Sequence, residues 1–174
     1  LYNRLYQYQR VAVNWLWELF CQNVGGILGD EMGLGKTVTT LAFLASLMES
    51  KLIDHSVLIV CPLTVMNQWI SEFHRWSPSL RAIILHETGT AEGKGVKFLE
   101  KQHFLSHEPY VFVTTYATVR NMVALFRRLP WSYVVLDEGH KIRNPDAAVT
   151  LACKMLDTPH RLILTGTPIQ NNLT

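Results

Sequence analysis

Two glycines, a lysine and a threonine within "GGILGDEMGLGKTVTTLAFL", Gly25 to Leu44, have the spacing of a phosphate cradle. Gly33 and Gly35 let backbone amides approach an anion closely, Lys36 adds positive charge, and the Thr37 hydroxyl can bind Mg²⁺. The strict pattern G-x-x-x-x-G-K-[ST] begins with glycine, whereas Asp30 stands there in this chain. The first glycine only opens the turn, so another residue serves if its φ stays negative. An ordinary glycine-bearing turn is the plain alternative. A second constellation ends "YVVLDEGHKI", where four apolar residues run into Asp137 and Glu138. In nucleotide hydrolysis one carboxylate of such a pair holds Mg²⁺ and its neighbour orients or deprotonates the attacking water. Asp137 fits the first role and Glu138 the second; a solvated strand terminus is the alternative. A third, "RLILTGTPIQNN", closes an apolar run with Thr165, Gly166 and Thr167 and continues through Gln170. Hydroxyls and amides there suit a relay between a phosphate and a second site, although a capped turn would explain Gly-Thr-Pro by itself.

All three constellations sit at the end of short apolar runs, and those runs recur: "GGILG", "SVLIVC", "RAIILH", "YVFVTT", "YVVLDE" and "RLILTG". Six buried strands alternating with helical segments imply a mostly parallel sheet, whose ligands bind where strand carboxyl ends converge. Helical periodicity appears in Tyr8, Val11, Trp15 and Leu19, and again in Val65, Trp69, Phe73 and Trp76, which predicts a sheet-facing side for each segment. Trp69 reads as core on this spacing. Asn144-Pro145 reads as an N-cap with proline at the first helical position, opening a helix through about Met155. The stretch from Thr88 to Gly95, with three glycines and no apolar face, reads as a surface connection.

Length and composition bound the class. At 174 residues with 48% hydrophobic and 17% charged residues, the chain is one globular domain's worth with a real core. A formal charge of +2 provides no overall basic field, so any nucleic-acid contact must be local. Cys21, Cys61 and Cys153 lie far apart without C-x-x-C spacing, which suits reduced thiols in an intracellular protein. No apolar run reaches the length of a membrane span, and the amino terminus is not a signal peptide. The chain starts without methionine and stops at "QNNLT", so both ends are expected to be cut points.

With "DEMGLGKT", "LDEGH" and "LTGTPIQNN" in one chain, the sequence resembles the superfamily 2 helicase-like ATPases, specifically the Swi/Snf branch of DNA translocases. Within that branch, Gly139 in place of the commoner alanine, "HKIRNPDAAVTLACK", "VMNQW" and "ILHETG" look most like the Cockayne syndrome group B proteins, nuclear ATPases of transcription-coupled repair that act on stalled RNA polymerase II. The resemblance implies an α/β fold, the RecA-like (P-loop NTPase) three-layer sandwich with a mostly parallel central sheet. Residues 1–174 would be the helicase ATP-binding domain, a first RecA-like lobe truncated after the third motif, with the second lobe absent. The strand at Arg161 to Leu164 is then expected between those ending at Gly29 and Asp137.

The same resemblance assigns roles. ATP and Mg²⁺ are the implied cofactors, with the phosphate loop formed by Asp30, Glu31, Met32, Gly33, Leu34, Gly35, Lys36 and Thr37. Lys36, Asp137 and Glu138 would be the catalytic set, Thr37 and Asp137 the metal ligands, and Gln9 in "LYQYQ" the residue that recognises adenine. "LIVCPLTVMNQW" looks like the family's motif Ia, and "VTTYATV" like its DNA-contacting segment. Thr114, Thr115 and Tyr116, with the region around Pro62, would lie along a DNA backbone. His140, Thr165, Gly166, Thr167 and Gln170 would couple nucleotide to DNA. The implied function is a DNA-dependent ATPase that translocates on double-stranded DNA and remodels protein on it in the nucleus. Its expected partners are double-stranded DNA and RNA polymerase II or chromatin, with no membrane and a monomeric fragment. The family's arginine-bearing motif has no counterpart here, so a fragment of this extent is expected to lack DNA-stimulated hydrolysis. Two rivals stay open: a nucleotide-dependent interaction module without hydrolysis, and a P-loop kinase or metabolic ATPase, which would need neither Gln9 nor the Thr-Gly-Thr element.

Overall fold

The computed structural model describes residues 1–29, 35–86, 99–101, 108–139, 144 and 147–166. The predicted connection from Thr88 to Gly95 and the predicted first helical position Pro145 lie outside them. In chain order the elements are α1 (Gln7–Cys21), β1 (Gly26–Leu28), α2 (Lys36–Glu49), β2 (Val57–Cys61), α3 (Met66–Trp76), β3 (Ala82–Leu85), β4 (Val111–Thr115), α4 (Tyr116–Asn121), α5 (Val123–Phe126), β5 (Tyr133–Leu136), α6 (Ala148–Lys154) and β6 (Arg161–Leu164). The sheet runs β1-β6-β5-β2-β4-β3 and every pairing is parallel. All six expected strands are present. As expected, β6 lies between β1 and β5, with Leu28 opposite Leu164 and Leu136 opposite Ile163.

Strand side chains alternate between two cores, as the period of two requires. Val57, Ile59 and Cys61 of β2, Tyr133 and Val135 of β5, and Leu162 and Leu164 of β6 pack with α1, α2 and α3. Leu58, Val60, Phe112, Val134 and Leu136 pack on the other face with Tyr116, Val119, Phe126 and Cys153 of α4 to α6. Strands β2, β4 and β5 are buried along their whole length, which explains why they read as unbroken apolar runs. Helix α2 is buried from Thr39 through Ala45 because it packs between α1 and α3 as well as on the sheet.

Two helix readings need correction. In α1 the buried stripe is Gln9, Val13 and Leu16, while Tyr8 and Val11 are exposed. The predicted set is also helically spaced, and only the docking of Trp17 and Phe20 against Phe43 decides which side turns inward. The helix predicted from Pro145 begins instead at Ala148, with Ala147 as its N-cap. The Asn144 carbonyl accepts from the Ala147 amide at 3.2 Å. Helix α3 follows the prediction, burying Trp69 and Phe73. Cys21, Cys61 and Cys153 are free thiols.

One buried titratable group belongs to the scaffold. His160, 5% exposed, is wedged between the rings of Phe20 at 4.5 Å and Tyr133 at 5.5 Å, and its Nδ1 has no hydrogen-bond partner among the described residues. Burial holds its pKa below the ordinary 6.5. The folded chain therefore takes up this proton later than the unfolded chain as pH falls, so stability is full above about pH 6.5 and declines below it. Denaturant unfolding at pH 7.5 and 5.5 should show a larger loss of midpoint for the natural chain than for His160→Gln. Equal losses would remove His160 as the cause.

Candidate active site

The carboxyl ends of β1, β5 and β6 bring the three sequence constellations to one edge of the sheet. Gly35 is the N-cap of α2, at φ 77° and ψ 38°, a left-handed conformation that glycine alone adopts without strain. A Cβ there would also strike the Gln9 carboxamide nitrogen, so α1 presses Gln9 directly onto the start of α2. Gln9 is buried, and its Oε1 accepts from the Tyr6 amide at 3.0 Å, capping α1. Lys36 and Thr37 occupy the first turn of α2, half-buried, at the positive end of the helix dipole. Asp30, Glu31, Met32, Gly33 and Leu34 lie outside the described residues.

Asp137 follows β5 and is held at every polar atom. Its amide donates to the Val60 carbonyl at 2.8 Å, and the Tyr116 hydroxyl donates to its own carbonyl at 2.5 Å. Of its carboxylate oxygens, Oδ1 accepts from the Glu138 amide at 2.9 Å and Oδ2 from the Trp69 indole N–H at 2.9 Å. Burial raises the Asp137 pKa above its ordinary value; the Trp69 and Glu138 hydrogen bonds and the Lys36 charge pull it back down. Lys36 and Asp137, on elements separated by β6, thus share one electrostatic environment. The chemistry of Asp137 suits a cation: its charge is disfavoured by burial, and the hydrogen bonds to its carboxylate come from neutral donors.

Glu138 is half-buried and stands at φ 54°. Asn23 and Lys51 also have positive φ, but each ends a helix with the amide of the next residue returned five residues back, Val24 to Leu19 and Leu52 to Leu47. Glu138 ends no helix, and its conformation costs about 1–2 kcal/mol for an L-residue. Strain of this kind collects at active sites. The neighbouring Cys61 is no nucleophile: burial, reinforced by the Asp137 charge, pushes its thiol up to about 12.

Thr165 is buried at the end of β6, its amide donating to the Leu28 carbonyl at 3.1 Å, and the following Gly166 is half-buried. His140, Thr167 and Gln170 lie outside the described residues. Thr114, Thr115 and Tyr116, expected along a DNA backbone, turn their side chains inward. All three are buried: Thr114 Oγ1 donates to the Leu85 carbonyl, Thr115 Oγ1 caps α4 by accepting from the Thr118 amide, and Tyr116 holds the Asp137 carbonyl. The turn after Pro62, Leu63–Val65, is by contrast outward, with Leu63 62% exposed. Sequence reasoning missed the roles of Trp69 and Tyr116 at Asp137. An aromatic at core spacing carries no sign of a partner 68 or 21 residues away. A surface groove bounded by Met48, His55, Leu80 and Pro109 opens at the strands' amino ends, opposite this site.

The chain matches the family model described as the SNF2-related domain over residues 8–174. It is 51% identical to the human DNA excision repair protein ERCC-6 over 183 residues, covering 99% of this chain and 12% of that protein. It is 42% identical to the Saccharomyces cerevisiae DNA repair and recombination protein RAD26, covering 100% of this chain and 20% of that one. Among solved structures, the Sulfolobus solfataricus SWI2/SNF2 ATPase core in complex with dsDNA superposes with a TM-score of 0.81 at 30% identity, covering 98% of this chain and 33% of that chain. The chain therefore spans a small part of the length of these relatives.

Gly139 shows how tightly the acidic turn rests on the neighbouring strand. A Cβ at this buried glycine would collide with Cγ2 of Ile163 in β6. Gly139→Ala should cost about 1–3 kcal/mol of unfolding free energy, the usual range for overpacking. Ile163→Leu moves the branch away from Cβ at similar volume, so Gly139→Ala should cost less in that background. A double-mutant cycle by denaturant titration checks this; additive costs would mean that the turn, not Ile163, excludes alanine.

Proposed function

The chain belongs to the SNF2-related domain family, and we propose that it forms the ATP-binding lobe, the first RecA-like lobe, of a DNA-dependent ATPase that translocates on double-stranded DNA. The observation that carries this reading is the meeting of Lys36 with Asp137 and Glu138 at one sheet edge, across a strand that ends in Thr165. In this reading residues 30–37 cradle the ATP phosphates, Lys36 compensates their charge, and Gln9 stands where adenine enters. Thr37 and Asp137 would hold Mg²⁺, which when bound neutralises phosphate charge during transfer. Glu138 accepts the proton of the attacking water. Thr165, Gly166, Thr167, Gln170 and His140 couple this site to DNA.

For Thr114, Thr115 and Tyr116 burial favours coupling through Asp137 over contact with DNA, and the exposed turn after Pro62 becomes the DNA-facing element. Likeness to ERCC-6 and RAD26, named for DNA excision repair and for DNA repair and recombination, supports a nuclear role in repair. The Cockayne syndrome group B resemblance narrows this to transcription-coupled repair, with RNA polymerase II or chromatin as partner. The intact acidic pair favours hydrolysis over a purely nucleotide-dependent interaction module.

In the complete natural chain, duplex DNA should accelerate ATP hydrolysis. Lys36→Ala should weaken nucleotide binding by about 1.5–3 kcal/mol, the value of a charge-assisted contact. Glu138→Gln should keep nucleotide binding while lowering turnover by roughly 10²–10⁴-fold. Calorimetry and a steady-state phosphate-release assay with and without DNA measure these. Normal turnover in Glu138→Gln would reassign the base, and indifference to DNA would remove the translocase reading.

A further inference from the structure

Trp69 lies in the middle of α3, 1% exposed, in a stripe where Met66 and Phe73 are also buried. Apolar packing alone would accept phenylalanine or leucine there. An indole brings in addition a buried N–H that must find an acceptor, and Nε1 donates to Asp137 Oδ2 at 2.9 Å across 68 residues of chain. The other tryptophan of α3, Trp76, satisfies its N–H within its own helix, on Glu72 at 2.7 Å. The geometry points to Trp69 as a positioning residue for Asp137, setting the plane of the carboxylate so that its charge faces the phosphate site.

The charge of the donor matters. A lysine or arginine in this place would orient the carboxylate and also neutralise it, leaving little attraction for a second cation. Neutral donors on both oxygens, the indole on Oδ2 and the Glu138 amide on Oδ1, fix the orientation and leave the negative charge available. Partners that orient a metal-binding carboxylate typically change metal affinity 10–100-fold when removed. This inference rests on the reading of Asp137 as a Mg²⁺ ligand.

The test compares Trp69→Phe with replacement of Trp69 by benzothienylalanine, which has the shape of tryptophan but sulfur in place of the N–H. Each protein is saturated with a non-hydrolysable ATP analogue without metal, and Mg²⁺ is titrated in by calorimetry; Asp137→Asn serves as reference. Metal-free affinity for the analogue should be unchanged in the Trp69 variants, since the polar atom they lose is given to Asp137. The half-saturating Mg²⁺ concentration should rise about 10–100-fold in both Trp69 variants and at least as far in Asp137→Asn. An isostere with the natural Mg²⁺ requirement, beside an Asp137→Asn that has lost it, would overturn the proposal and leave Trp69 as packing only. If Asp137→Asn also binds Mg²⁺ normally, the proposal falls together with the metal-ligand reading, and the failure lies in the latter. Should Trp69→Phe fail to fold, the isostere decides alone.

Discussion

The site is organised around a partly buried carboxylate whose hydrogen-bond donors among the described residues are neutral. Taking an ionised group from water is costly, and the cost is met only when its lone pairs find donors. Asp137 meets that condition with an indole from α3 and an amide from its own turn, while its backbone is tied to β2 and to Tyr116 of α4. Helices on both faces of the sheet therefore converge on one residue at the end of β5. The strain at Glu138 follows from the same turn, because the chain must leave the strand sharply while its amide stays on Oδ1.

Strand order gives this residue its company. Because β6 is inserted between β1 and β5, β1 and the strand that carries the acidic turn are not direct neighbours, and Thr165 follows the strand between them. Across that strand the Lys36 charge still lowers the pKa of Asp137. Gly139 packs closely onto Ile163 of the intervening strand.

Much of this was legible because parallel strands buried on both faces leave an unmistakable record of apolar runs, and because phosphate loops demand particular residues for backbone reasons. Gly35 illustrates the second case: its left-handed φ and contact with Gln9 exclude any side chain. The buried side of α1 was less legible. Tyr8 and Val11 are as well spaced as Val13 and Leu16, and helical periodicity marks a stripe without saying which of two stripes a neighbour will cover.

The sequence by itself determined the fold class and the family, since each depends on local residue type and spacing. Only the tertiary structure decided which groups serve the acidic turn. Trp69 and Tyr116 are core aromatics in any local reading, yet each sends its one polar atom to Asp137, and Thr114 and Thr115 spend their hydroxyls inside the protein. A side chain's hydrogen-bond partner depends on which strands lie side by side and how the helices dock on them. Those are contacts between residues far apart in the chain, and periodicity within a single segment does not encode them.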